Sequence, residues 1–288
     1  MFIVLTSDTA CAGGGDMAAE DFCIRTSTEN VTLLLVHHPQ RRGNLAGRHG
    51  KHRPEDEKLS TVGQWEATSL GFYIGQRVVI EALLEHRYLA RHEYLFDFAA
   101  ATQGRSQQAA MLTRRGALEA MRTMEAFGLA HVCIIPNWDG IDLGQNMTGL
   151  TEAQIASLYP VFAQQWQAWR ENLRDLPPEL PEPDSEAPDH FAQRVVSGLR
   201  YALANRRSRL ILAVAARSVL QVAHNILEGN NPNEVIRFID PPYGWAEEWE
   251  LSPDQAPRNV HGEFLPPYTL AAKLPRFDME QQPPEHSE

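Results

Sequence analysis

Residues 31–44, VTLLLVHHPQRRGN, hold an apolar run that stops at two histidines and opens into a basic loop containing glycine. Such a run reads as a parallel strand covered on both faces, since strands of that kind are apolar throughout instead of alternating. Open α/β sheets bind ligands outside the carboxyl edge of their strands, which makes His38 a candidate for catalysis or anion contact. His37 is expected on the opposite side of the strand, because successive strand side chains alternate, and so as a packing or supporting residue behind His38.

Working outward, strands and helices alternate. A strand is expected over 31–38, a helix after Ser60, a strand around 94–100 (YLFDFAA) and a helix opening near Arg105. AHVCIIP is a third strand, leading to a turn at Asp139. Thr151 and Gln154 make a capping box that fixes a helix start. The helix HFAQRVVSGLRYALANR, the buried strand LILAVAA, the helix VLQVAHNILEG and strands near EVIRFI and WAEEWEL complete the series, the last of them at an edge. The fold class expected is α/β, a three-layer α/β/α sandwich with a mostly parallel central sheet. Trp166 and Trp169 lie on one helix as core or lid packing, and Trp245 and Trp249 as core.

Residues 1–29, rich in Gly, Ala and Asp without a period, are expected to be an N-terminal extension to a domain over 30–270. Residues 173–190, LRDLPPELPEPDSEAPDH, read as an exposed proline-rich insertion, either a solvated loop or a cap loop, and 271–288 as a disordered tail.

The quoted motif resembles the opening signature of the histidine phosphatase superfamily, the phosphoglycerate-mutase-like enzymes: apolar strand, Arg-His-Gly, two variable residues, then Asn. His38 falls on the nucleophile and Asn44 on the asparagine. Asn44-Leu45-Ala46-Gly47-Arg48 and Leu59-Ser60-Thr61-Val62-Gly63-Gln64 follow the family's next run in order. ATQGRSQQAAML resembles its second arginine motif, with Arg105, Gln108 and Ala110 in register, and GLTEAQIASLYP resembles the helix start "G-L-T-x-x-E-I-x-x-x-Y-P". Together these span roughly residues 31–250, an ordinary length for one α/β unit. The resemblance implies the phosphoglycerate-mutase-like fold, no cofactor, and a small phosphorylated ligand held by Arg105, Asn44 and Arg48. It implies a neutral His38 imidazole that attacks phosphorus while arginines and a second histidine absorb the transition-state charge.

Other family positions are occupied differently here. His37 stands in place of arginine, Pro39 in place of glycine, and Ala216 in place of the second histidine. The glutamate that protonates the leaving oxygen in many members falls near Gly140, which Asp139 and Asp142 flank as candidate acids or simple turn residues. Losing one preorganised donor costs about 10²–10³ in rate, ~3–4 kcal/mol. Arg217, at a strand-to-helix turn, is a candidate to restore part of the clamp.

Three readings stay open. One is a phosphatase working through His38 with low or unusual activity. The second is an inactive protein of the same fold that binds an anionic ligand or a protein. The third is an enzyme reusing the pocket for non-phosphoryl chemistry.

Composition excludes other classes. A net charge of −11, from 26 basic and 37 acidic residues, argues against a nucleic-acid or anionic-membrane surface, while the basic residues from Arg41 to Arg53 suit a small anion. His37, His38, His49 and His52 show no HxH, HExxH or CxxC spacing, so no metal is expected. Cys11, Cys23 and Cys133 form no framework, and no apolar run reaches membrane-spanning length, so a cytoplasmic protein is expected.

Overall fold

The structure is a computed structural model that describes residues 22, 24, 26, 29–42, 58–102, 104–136 and 138–266. Its centre is a six-stranded sheet in the order β3-β2-β4-β1-β5-β6. The strands are β1 Val31–His37, β2 Tyr94–Ala101, β3 Leu129–Ile135, β4 Leu210–Ala215, β5 Ala246–Leu251 and β6 Arg258–Asn259. β3, β2, β4 and β1 run parallel, and β5 and β6 are antiparallel additions.

Side-chain alternation along β1 sorts the helices into two layers. Leu34 and Val36 pack with α1 (Thr61–Leu84) and α2 (Gly104–Thr123). Leu33 and Leu35 pack on the other face with α5 (Pro188–Ala204) and α6 (Arg217–Leu227). The result is the mostly parallel, three-layer α/β/α arrangement expected from the sequence. Two further helices, α3 (Glu152–Leu158) and α4 (Pro160–Arg170), stand off the sheet. Among the described residues no helix is long and apolar enough to cross a membrane.

Parallel register brings the functional loops together. His37 pairs with Ala215, and Ala100 with Val214, so β1, β4 and β2 end at one edge. The loop after β1 is held there by the start of α1: Ser60 donates both its amide and its hydroxyl to the Gln40 carbonyl and caps the helix by accepting from the Gly63 amide. Only glycine fits at position 63, since a Cβ there would lie 2.1 Å from the Gln40 oxygen.

Two expectations need correction. EVIRFI forms no strand. The buried amides of Gln221 and Asn225, one turn apart on α6, replace a sheet partner: the Arg237 amide donates to Asn225 Oδ1 at 2.8 Å, and the Ile239 amide to Gln221 Oε1 at 2.6 Å. β5 is an interior strand, because β6 pairs outside it. Segment 173–190 is exposed over much of its length and is anchored at Glu182, which is buried beneath the Asn146 amide and the Tyr159 hydroxyl, both donating to it.

Candidate active site

At the carboxyl edge lies a cavity of about 810 Å³. The pleat of β1 ends at His37, its last residue paired with β4. Beyond it the His38 amide donates to the Ala215 carbonyl at 2.9 Å, and Pro39 has no amide to continue a ladder. Both histidine rings consequently line the cavity, with centroids 4.9 Å apart, and the expectation that His37 faces away from His38 is overturned because alternation holds only while the pleat lasts. Tyr243, which sequence reasoning missed, lies 4.6 Å from the His37 ring and 5.7 Å from that of His38. Its only signal was an aromatic residue in the PPYG turn.

The tautomers follow from the partners. His38 Nδ1 is 2.9 Å from the Pro39 carbonyl, and His37 Nδ1 is 2.7 Å from that of Pro241. A carbonyl only accepts, so each Nδ1 carries hydrogen and each Nε2 keeps its lone pair. Burial, then the charges of Arg105, His37 and Arg41, hold the His38 imidazole well below its ordinary pKa. Burial first, with Arg217 and Arg105 contributing, pushes His37 down to about 3. Both rings are therefore neutral at physiological pH.

Three cations share the cavity, each delivered by a different element. Arg41 follows β1 and bridges to Leu59, Arg105 is the second residue of α2, and Arg217 is the first residue of α6. Arg41 and Arg105 are buried, whereas Arg217 is more exposed and pairs with Asp240 at 2.8 Å. Gln108, in register with the family motif, accepts from the Leu59 amide at 2.9 Å and ties α2 to the loop ahead of α1.

Of the two candidate acids only Asp142 lines the cavity, and its Oδ1 accepts the Gly144 amide at 3.1 Å. Asp139 is turned to other work. Its Oδ2 accepts the Thr102 hydroxyl at 2.7 Å, and its carbonyl accepts Arg194 at 2.8 Å. Gly140 and Ala216 face each other across the cavity wall: a Cβ on Gly140 would meet the Ala216 Cβ and the Ser218 hydroxyl, each at 3.2 Å. Asn44 and Arg48, together with His49, His52, Cys11 and Cys23, lie outside the described residues. Among the described residues no group of three or more His, Cys, Asp or Glu side chains is placed to hold a metal.

The remaining wall mixes apolar rings and prolines with polar side chains, Glu152, Gln167 and Arg170 among them. The Thr151–Gln154 capping box is present in both directions and starts α3, and α4 follows with Phe162, Trp166 and Trp169 turned to the cavity. Trp169 is buried, with its Nε1 donating to the Ile236 carbonyl at 2.6 Å. Pro177, Pro178 and Leu180 of the proline-rich segment close the side, so that segment caps the cavity.

Comparison with known proteins places this architecture. Residues 113–246 match the model of the histidine phosphatase superfamily, branch 1. No curated protein matches the chain in sequence. Among solved structures, phosphoglycerate mutase from Bacillus anthracis superposes with a TM-score of 0.54 at 13% identity, covering 86% of this chain and 97% of that one. YhfR from Bacillus stearothermophilus gives 0.54 at 18% identity, over 80% and 95%. A mycobacterial glucosyl-3-phosphoglycerate phosphatase in complex with VO3 gives 0.53 at 16% identity, over 76% and 90%.

Proposed function

We propose that the chain, whose residues 113–246 match the histidine phosphatase superfamily model, belongs to that superfamily and hydrolyses a small phosphate monoester slowly through His38. The observation that carries this reading is the hydrogen bond from His38 Nδ1 to the Pro39 carbonyl, which leaves Nε2 with a lone pair in a cavity shared with Arg105 and Arg41. Arg105 and Arg41 bind the non-bridging oxygens, with Arg217 at the rim; the resemblance adds Asn44 and Arg48, which lie outside the described residues. His38 Nε2 attacks phosphorus, the bond to the leaving oxygen breaks, and water then hydrolyses the phosphohistidine. His37 stands beside the nucleophile and keeps a neutral environment around it. Proton delivery falls to Asp142 or to solvent, since Asp139 does not line the cavity.

A second reading, anion binding without turnover, is favoured by the Gly140–Ala216 approach, where neither a proton donor nor a second imidazole stands. The acidic overall charge and the Cys133 thiol, free among the described residues, support the reading of a cytoplasmic protein.

Turnover of para-nitrophenyl phosphate, compared between the wild type and His38→Ala, separates the two readings. Activity lost in the variant, with an acid-labile phosphoryl group trapped on the wild type, supports catalysis. Phosphate binding without turnover supports the second reading, and absence of both overturns each of them.

A further inference from the structure

A fully ionised phosphoryl oxygen offers only lone pairs, so the groups that hold it must donate. Arg41, Arg105 and Arg217 do so from three elements. At the position where the resemblance places a further arginine, the chain carries His37. The Nδ1 hydrogen of His37 is committed to the Pro241 carbonyl at 2.7 Å, so the nitrogen left to the cavity is an acceptor. Among the described residues no hydrogen bond reaches that second nitrogen, and the side chain is buried.

The backbone keeps this arrangement in place. The His37 amide donates to the Trp245 carbonyl at 3.0 Å, and its own carbonyl accepts the Gly244 amide at 3.1 Å. With the ring tied to Pro241 as well, His37 cannot turn its donor to a ligand without breaking a buried bond. Its ring centroid lies 4.9 Å from that of His38, which sets it beside whatever His38 attacks. A lone pair held against an anionic oxygen is repelled, and a buried acceptor without a donor keeps its desolvation penalty. A phosphoryl oxygen that carries a proton relieves both, donating to His37 while the other oxygens accept from the arginines.

That proton belongs to the ligand. A phosphate monoester takes its second proton at about 6, whereas burial, aided by Arg217 and Arg105, holds His37 neutral down to about 3. The groups around the ring are His38 beside it on β1, Arg41 of the following loop, Arg105 of α2, Arg217 of α6 and Tyr243 of the turn before β5. Asp142 and Glu152 line the same cavity, but among the described residues no carboxylate bonds either imidazole.

Resting on the phosphatase reading above, we propose that the site binds its phosphoryl ligand as the singly protonated monoanion, the P–O–H donating to His37 Nε2, and rejects tetrahedral anions that carry no proton. Sulfate has the shape of phosphate and no proton at neutral pH, so it separates recognition of the proton from recognition of the shape.

The test titrates the full chain with inorganic phosphate and with sulfate by calorimetry, between about pH 7 and 9 and in buffers of different ionisation enthalpy. Phosphate is expected to bind about tenfold or more tightly than sulfate, to lose about tenfold in affinity per pH unit at the alkaline end, and to bring in about one proton from the buffer. His37→Arg, which puts a donor at that place, should bind sulfate within about threefold of phosphate and abolish the proton uptake. Should it fail to fold, His37→Gln, whose amide can turn its NH2 to the ligand, is read the same way. Equal affinity of the wild type for the two anions, or phosphate bound without proton uptake as a dianion held by the arginines alone, overturns the proposal and leaves the phosphatase reading standing. Uptake unchanged in a folded variant overturns the part given to His37. Absence of both phosphate binding and turnover of para-nitrophenyl phosphate would instead overturn that reading, and this proposal with it.

Discussion

Gly140 and Ala216 pack so closely that a methyl group added to the first would lie 3.2 Å from the methyl of the second. The resemblance to the superfamily places an imidazole at Ala216 and a carboxylic acid near Gly140, which Asp139 and Asp142 flank. Under the proposed function, this wall faces the His38 nucleophile with no imidazole at position 216.

Restoring one donor to that wall should therefore restore rate. Ala216→His is expected to raise kcat on an aryl phosphate by about tenfold or more, part of the ~10²–10³ that one preorganised donor supplies. Ala216→Leu, equally bulky and apolar, should give no gain. Equal rates for the two variants would show that the charge at this wall does not limit turnover.

The ion pair between Arg217 and Asp240, 2.8 Å apart at the rim, holds the arginine partly away from any bound anion. Asp240→Asn should tighten phosphate binding two- to threefold or so, and Arg217→Ala should weaken it by up to about tenfold, modest effects because the pair is well solvated. In an Arg217→Ala background Asp240→Asn should do nothing further, which a double-mutant cycle by calorimetry reads directly. Unchanged affinity in Arg217→Ala would exclude that arginine from the clamp.

Stability should fall as the solution is acidified. His37, held neutral in the folded protein down to about pH 3, refuses a proton that the unfolded chain takes up at its ordinary value of 6.5. His38 is shifted in the same direction. Below pH 6.5 the unfolded state binds more protons, so His37 costs about 1.4 kcal/mol of stability per pH unit on the way from about 6.5 to 5, and His38 acts in the same direction. His224, whose pKa is raised despite burial by Glu247 and Glu228, is protonated in both states in that window and adds nothing. Denaturant midpoints of the wild type should drop along this slope, and His37→Asn should flatten it by about one proton.

Gly63→Ala should disturb the loop that carries Pro39 and Arg41. The added carbon would sit 2.1 Å from the Gln40 carbonyl oxygen, a backbone atom held by Ser60, so relief requires the loop to move. Overpacking of this kind costs about 1–3 kcal/mol, visible as a lower Tm. A weaker phosphate Kd should accompany it; a lowered Tm with an unaltered Kd would show that the loop absorbs the change without shifting Arg41.

The sequence announced the sheet because its parallel strands are buried on both faces and so are apolar without interruption, as VTLLLV and LILAVA are. It announced the start of α3 because a capping box is a local interaction between Thr151 and Gln154. The orientation of His37 was not legible, since alternation says where a side chain points only while the pleat continues, and a proline two residues on ends it. VIRFI has the composition of a strand, and its actual partner, a pair of helical amides, has no strand-like signature. The apolar face of α4 declared that something covers it, but a period of 3.6 is the same whether the cover is core or cavity. The approach of Gly140 to Ala216 joins residues far apart in sequence, and only the folded chain brings them together.

The clasp of Gln221 and Asn225 on residues 237–239 makes one stiff body of helix α6 and the stretch that bears Phe238. Arg217 opens that same helix. A cation at the mouth and an aromatic plane at the far wall are thus mounted like the two jaws of a caliper, so the gap between them is set by the frame instead of by whatever enters it.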